Sequence, residues 1–322
     1  MSAERPETPF MAKRTDSPVN GILIIDKPTG MSSHAVVSRL RRWYGTRRVG
    51  HAGTLDPMAT GVLVAGLGRG TKLLTYLIGL DKTYTATIRL GASTPSDDAD
   101  SAADRFAAPA ALAAVSDEQI AGGVAALRGT IEQVPSAVSA IKVDGKRAYQ
   151  LVRAGSDVEL AARPVTITGF DIHDIRRQLD TEPPAIDIDV TVSCTSGTYI
   201  RALARDLGAG LGVYGHLTAL RRTHVGPFEL PGHQLPDDLT TPEAVQPPVP
   251  IDLATVAAQV LPVRDLTAEE SRALLSGQFI DPATASGPGP WAGICSGELI
   301  AVIERRGEKL KTAAGIAQQP PA

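Results

Sequence analysis

The stretch Ile186 to Cys194, IDIDVTVSC, alternates apolar and polar residues without a break. A period of two sends Ile186, Ile188, Val190 and Val192 to one face of an extended chain, so this segment is a half-buried β-strand. Such a strand needs neighbours with a matching face. Lys82 to Gly91 (KTYTATIRLG) supplies one, with Tyr84, Ala86, Ile88 and Leu90 on a common side. Gly21 to Ile25 (GILII) and Val62 to Leu67 (VLVAGL) read as further strands. Between them the period changes to that of helices. Ser32 or Ser33 can cap a helix carrying Ala35, Val36, Val37, Leu40 and Trp43, and Ser116 to Gln119 (SDEQ) is a capping box for a helix ending before Gly129. Ser196 and Gly197 turn into a third, with Tyr199, Ile200, Arg201, Leu203, Ala204 and Leu207. Thr71 to Ile78 also reads as helix, Ala92 to Ala114 as a long loop with a weak helix, and Val143 to Lys146 (VDGK) as a tight turn before a helix over Arg147 to Arg153. Strands outnumber parallel crossover units, which predicts an α+β fold: a mixed, mostly antiparallel sheet flanked by helices.

At 322 residues and 43% hydrophobic content, the chain is long enough for two domains. The predicted division is a disordered polar tail over 1–20, a main domain over 21–245, a linker over 246–262 and a small β-rich unit over 263–322. The linker lies in a proline-rich stretch from Pro236 to Pro262. The last unit combines a helix over Leu266 to Ser276, capped by Thr267, with a hairpin over Gly293 to Glu304 turning at a Ser-Gly pair.

Net charge is −3 and the pI is about 6.1, so a nucleic-acid or membrane role needs a local patch. Cys194 and Cys295 have neither CxxC spacing nor a Cys/His cluster, which predicts two buried thiols and no metal site. No apolar run reaches the roughly 20 residues of a membrane span, and the N-terminus lacks a signal-peptide centre, a pattern that fits a cytoplasmic protein.

The glycine turn Gly66 to Lys72 (GLGRGTK) has a phosphate loop's layout but not its spacing: Thr71 separates Gly70 from Lys72, and Leu73 follows. Lys72 can still meet a phosphate. Arg39, Arg41, Arg42, Arg47 and Arg48 cluster within ten residues, interleaved with Trp43 and Tyr44, and no acid falls between Arg39 and Gly50. Unpaired clustering of this kind suits phosphates as partners. Next comes Val49 to Leu63 (VGHAGTLDPMATGVL), in which one acid, Asp56, sits among Gly50, Ala52, Gly53, Pro57, Ala59 and Gly61. An isolated Asp-Pro is usually just a turn. Here the small neighbours predict a site that a ligand can approach, with His51 nearby.

Gly50 to Leu63 resembles the catalytic motif of the TruB-type tRNA pseudouridine synthases. Gly21 to Ser33 (GILIIDKPTGMSS) resembles the family's first strand and turn, and Lys82, Thr83 and Tyr84 resemble its KxY strand. Val134 to Tyr149 (VPSAVSAIKVDGKRAY) resembles its PPxYSAxKxxGxxxY segment, with Val138 where a tyrosine is frequent. Ser196 to Arg201 (SGTYIR) is similar to its SGTYIR motif. The resemblance spans about residues 20 to 230. It implies the pseudouridine synthase fold, a PUA-like RNA-binding module over 263–322, and isomerisation of uridine 55 in the T loop of tRNA without a cofactor, metal or obligatory protein partner, by a monomer. It further implies Asp56 as the catalytic carboxylate, Tyr84 stacked on the target base and available for proton transfer, Arg201 paired with Asp56 so as to keep it ionised, Tyr199 supporting that pair and Leu220 packed on the base. His51 is implied to fill the vacated space or to brace the flipped base, and Lys72, Arg47 and Arg48 to hold the phosphates. The competing expectation is a tRNA-binding or folding factor using the same face without turnover; loss of Asp56 would leave such a factor unharmed.

Overall fold

The computed structural model describes residues 19–136, 142–143, 146–147, 160–235, 246–282 and 287–319. The expected tail over 1–18 and the helix expected beyond Arg147 lie outside them. Residues 142–143 pair antiparallel with 146–147, so Arg147 is strand rather than helix.

The main strands are β1 (Gly21–Lys27), β2 (Val49–His51), β3 (Thr60–Leu67), β4 (Lys82–Leu90), β5 (Gly129–Gln133), β6 (Arg163–Gln178), β7 (Ala185–Cys194), β8 (Gly215–Val225) and β9 (His233–Gln234). They form one sheet in the order β9-β1-β3-β8-β4-β7-β6-β5, with β2 on the flank of β3. Pairing is antiparallel except between β1 and β9 and between β3 and β8, which gives the mixed, mostly antiparallel sheet. The two strands read most directly from the sequence are neighbours, Ile188 lying opposite Ile88. Their apolar face, with Tyr84, Ala86, Ile88 and Leu90, is buried under α2 (Asp117–Ala126) and α3 (Ile200–Gly210). Helix α1 (Ser33–Trp43) packs Val36, Val37, Leu40 and Trp43 on Leu23, Ile25, Leu63 and Ala65. Ser32 caps it, accepting from the Ala35 N–H at 3.1 Å, and the capping box at Ser116 is present. The helix expected over Thr71 to Ile78 is instead a 3₁₀ turn (Gly68–Lys72) and one short helical turn (Leu74–Leu77). Gly70 leaves no room for a side chain there, since a Cβ would come 2.3 Å from the Gly21 carbonyl oxygen.

The C-terminal unit is a four-stranded sheet, β10 (Val263–Asp265), β11 (Trp291–Cys295), β12 (Glu298–Arg306) and β13 (Lys309–Gly315), with helix α5 (Ala268–Leu275) capped by Thr267. Its hairpin turns at Ser296 and Gly297, both at positive φ, as a tight two-residue loop demands. The linker expectation fails here. Residues 253–260 form α4 (Leu253–Val260), capped by the Asp252 carboxylate, and its buried Leu253, Ala254, Val256 and Ala257 face both units. One hydrophobic cluster joins Ile22, Val62, Val64 and Leu73 to α4 and to Ala292, Leu299, Val302 and Ile316 of the small sheet. Pro250 and Pro262 stand just outside the two ends of this helix. Leu299→Ala should therefore cost about 2–5 kcal/mol and lower one common melting transition; calorimetry that shows the main domain melting unshifted would contradict a shared core.

Candidate active site

Asp56 sits in the loop between β2 and β3, and this loop is fixed from several sides by backbone hydrogen bonds. Ser33 Oγ accepts from the Leu55 N–H at 2.8 Å and donates to the Leu55 carbonyl at 3.0 Å. Lys27, fully buried at the end of β1, donates to the carbonyls of Met31 at 2.6 Å and Pro57 at 3.3 Å, and Gly30 N–H reaches Pro57 at 2.8 Å. Burial pushes the Lys27 ammonium down to about 8, against the pull of Asp56 and Asp100. Arg222, on β8, donates to the carbonyls of Gly53 at 3.1 Å, Thr54 at 3.4 Å and Val62 at 2.7 Å.

The loop edges a cleft of about 330 Å³, lined by Asp56, Tyr84, Tyr199, Arg201, Leu220 and Arg222 among others. The first five of these were expected at the site. Tyr199 ends the turn before α3, and the buried Gln133 clamps its backbone, accepting from its N–H at 2.8 Å and donating to its carbonyl at 3.1 Å. One residue into the helix, Arg201 is only 4% exposed. Its Nε lies 3.0 Å from Asp56 Oδ2, its Nη1 3.3 Å from Asp98 Oδ2, and Nη1 donates to the Ser96 carbonyl at 2.7 Å. Asp98 is itself held by Ser96 Oγ at 2.6 Å and by the Asp100 N–H at 3.1 Å.

Electrostatics modify one expectation. Burial raises the Asp56 carboxyl above its ordinary value; Arg201 opposes this, while the charges of Asp98 and Asp100 add to it. The pairing with Arg201 thus limits the rise rather than reversing it. Burial also raises the Tyr84 phenol, with Arg222 opposing, so Tyr84 is a neutral donor at pH 7. Lys82, at the other end of the cleft, is brought down to about 8 by burial and by Arg222, and donates to the carbonyls of Ile78 at 3.0 Å and Leu80 at 2.5 Å.

Other expected residues lie apart from the cleft. His51, paired with Ala65 across β2 and β3, does not line it, and burial lowers its pKa against the opposing pull of the Gly53 backbone. Lys72 bonds the Gly315 carbonyl of the small sheet, so it ties the two units together instead of standing free for phosphate. Arg47 is exposed and Arg48 half-buried, while Arg41 folds back onto the Val49 carbonyl at 3.3 Å. The small residues around Asp56 are mostly explained by packing: Ala52 and Ala59 are core, a Cβ on Gly61 would strike the Arg222 carbonyl at 2.2 Å, and only Gly53 lines the cleft.

Against known proteins, residues 41–200 match the TruB family pseudouridylate synthase (N terminal domain) model, 201–246 the tRNA pseudouridylate synthase B C-terminal domain, and 261–317 the tRNA Pseudouridine synthase II, C terminal. A tRNA pseudouridine synthase B of Leifsonia xyli is 53% identical over 297 residues, 91% of this chain and 95% of that one. The chain belongs to the TruB family. A second TruB relative, the tRNA pseudouridine synthase B of Corynebacterium aurimucosum, is 52% identical over 296 residues, again 91% and 95% of the two chains. The TruB fold extends to distant proteins: the chain matches a solved Cbf5-Nop10-Gar1 complex with TM-score 0.65 at 22% identity, over 92% of this chain and 85% of that one. Among the described residues of this TruB-family chain, no helix is long and apolar enough to cross a membrane.

Sequence reasoning missed Lys27, Ser33, Asp98, Gln133 and Arg222. Arg222 left a signal, since period two on β8 puts it on the same buried face as Leu220. The others act on backbone or on other side chains and left none.

Proposed function

We propose that this TruB-family enzyme isomerises uridine 55 in the T loop of tRNA to pseudouridine, in the cytoplasm, as a monomer and without a cofactor. The carrying observation is the Asp56–Arg201 contact of 3.0 Å inside a cleft that also holds Tyr84 and Leu220. In the reaction the N1–C1′ bond breaks, with its electron pair leaving on the base. The base rotates, C5 bonds to C1′, the C5 proton departs and N1 regains one. Nothing is oxidised or reduced. Asp56 serves as nucleophile or as base, and either role demands an ionised carboxylate. Arg201 orients it and balances its charge, while Asp98 on the far side of the guanidinium keeps Arg201 in place. Tyr84 and Leu220 sandwich the flipped uracil, with the stack worth about 1–3 kcal/mol. The exposed arginines Arg42 and Arg47, with Arg48, take backbone phosphates, the small C-terminal domain extends the RNA contact, and His51 fills the place the base leaves.

The assay is release of tritium from C5 of labelled uridine in a tRNA transcript; absence of release from the unmodified chain would refute the proposal. pH dependence follows from the direction of the Asp56 shift. With its pKa raised, turnover falls as pH drops through a midpoint above the ordinary carboxylate value of roughly 4, about tenfold per unit below it. Single-turnover rates on folded tRNA test this, and a midpoint at or below the ordinary value contradicts the burial argument.

A further inference from the structure

Arg222 is only 1% exposed, yet among the described residues no carboxylate pairs with it, whereas Arg221 beside it pairs with Asp26 at 2.7 Å. Its donors go instead to three carbonyls, of Gly53, Thr54 and Val62, and it lies directly opposite Tyr84 in the antiparallel pair of β8 with β4. Its backbone is fixed as well: Arg222 lies opposite Gly61 in the parallel β3–β8 pair, where the strands approach so closely that Gly61 cannot carry a Cβ. A buried, uncompensated guanidinium is costly unless something in the site makes use of its charge. Lys82 adds a second positive group at the same end of the cleft, and both residues line it. Tyr84 lines the same cleft, so the guanidinium stands beside its phenol at the wall a flipped base would meet.

We propose that Arg222 is a positioning residue for the isomerisation: it aims the Tyr84 O–H at the detached uracil and sets a positive charge behind it while that base is negatively charged. The inference rests on the pseudouridine synthase reading above. The negative charge that leaves on the base when N1–C1′ breaks meets a preorganised donor, which strengthens as the charge develops.

The test is single-turnover tritium release and tRNA affinity for Arg222→Gln and Arg222→Lys, each alone and combined with Tyr84→Phe. Arg222→Gln should slow turnover about 100-fold with tRNA affinity within about threefold, and Arg222→Lys, which keeps the charge, should recover about tenfold of that loss. In the Tyr84→Phe background, Arg222→Gln should cost less than about threefold, because its route to the base is already gone. A merely structural Arg222 would give the full loss in both backgrounds, and that result overturns the inference. So does turnover that survives Arg222→Gln in a folded variant. If Arg222→Gln does not fold, the Arg222→Lys cycle decides, with about a tenfold loss expected beside Tyr84 and less than about threefold beside Phe. An unmodified chain that releases no tritium refutes the proposed function itself, so the two failures are distinguishable.

Discussion

Asp56→Asn should reduce tritium release by at least about 10⁴-fold while leaving tRNA affinity within a fewfold, since the amide can neither attack nor take a proton. The fold should survive the change. The Asp56 carboxyl is raised by burial beyond what Arg201 returns, so the ionised form costs stability at any pH above its folded pKa, and the cost fades as pH falls through it. A neutral amide at pH 7 removes that cost, and the melting temperature should be unchanged or higher. Arg201 keeps Asp98 at 3.3 Å in the variant, so no buried charge is stranded. Tritium release retained by Asp56→Asn would show that this carboxylate is not the catalytic group; release lost together with a collapsed melting temperature would show the loop, and not the carboxylate, to be what matters.

Arg201→Ala is the second large effect, and it acts on stability and turnover together. The guanidinium serves two carboxylates, one of which, Asp98, has a side chain only 2% exposed. Removing it leaves that buried acid without its cation, a loss of about 3–5 kcal/mol, and turnover should fall by about 10³-fold or more as Asp56 loses its orientation. Arg201→Lys separates the two effects. Lysine keeps one charge but cannot reach Asp56, Asp98 and the Ser96 carbonyl in a fixed plane, so stability should recover more than rate does. Denaturant melts and single-turnover rates on the same samples would show it. Equal recovery of both would mean that charge alone, not the geometry of the fork, orients Asp56.

The contrast between these residues shows what a sequence can and cannot display. Strands β4 and β7 were legible because their buried faces alternate with polar ones, and Arg201 was found through its motif. Strand β8 was not, although it lies in the middle of the sheet between β3 and β4. Its sequence GHLTALRRTHV mixes charges into the apolar face, and only once it is known as a strand does its period of two set Arg222 beside Leu220 on the buried side. Helix α4 reads as linker in sequence because flanking prolines outweigh eight residues whose apolar side has two partners, one in each unit. Asp98 lies in a polar stretch that reads as loop; only the fold brings it within reach of Arg201. Local pattern carried the elements, and long-range pairing decided which polar residues became site residues.

The hydrophobic cluster shared by the main domain, α4 and the small sheet also governs how the enzyme meets a large substrate. Swinging the C-terminal unit away would bring Val256, Leu299 and Val302 into water and break the Lys72 and Arg69 contacts to the Gly315 and Ile316 carbonyls. The two units therefore act as a caliper set to one gap. Under the proposed function, adjustment on docking falls to the loops and to the RNA, and a tRNA whose elbow does not span that gap should react slowly even with its uridine intact.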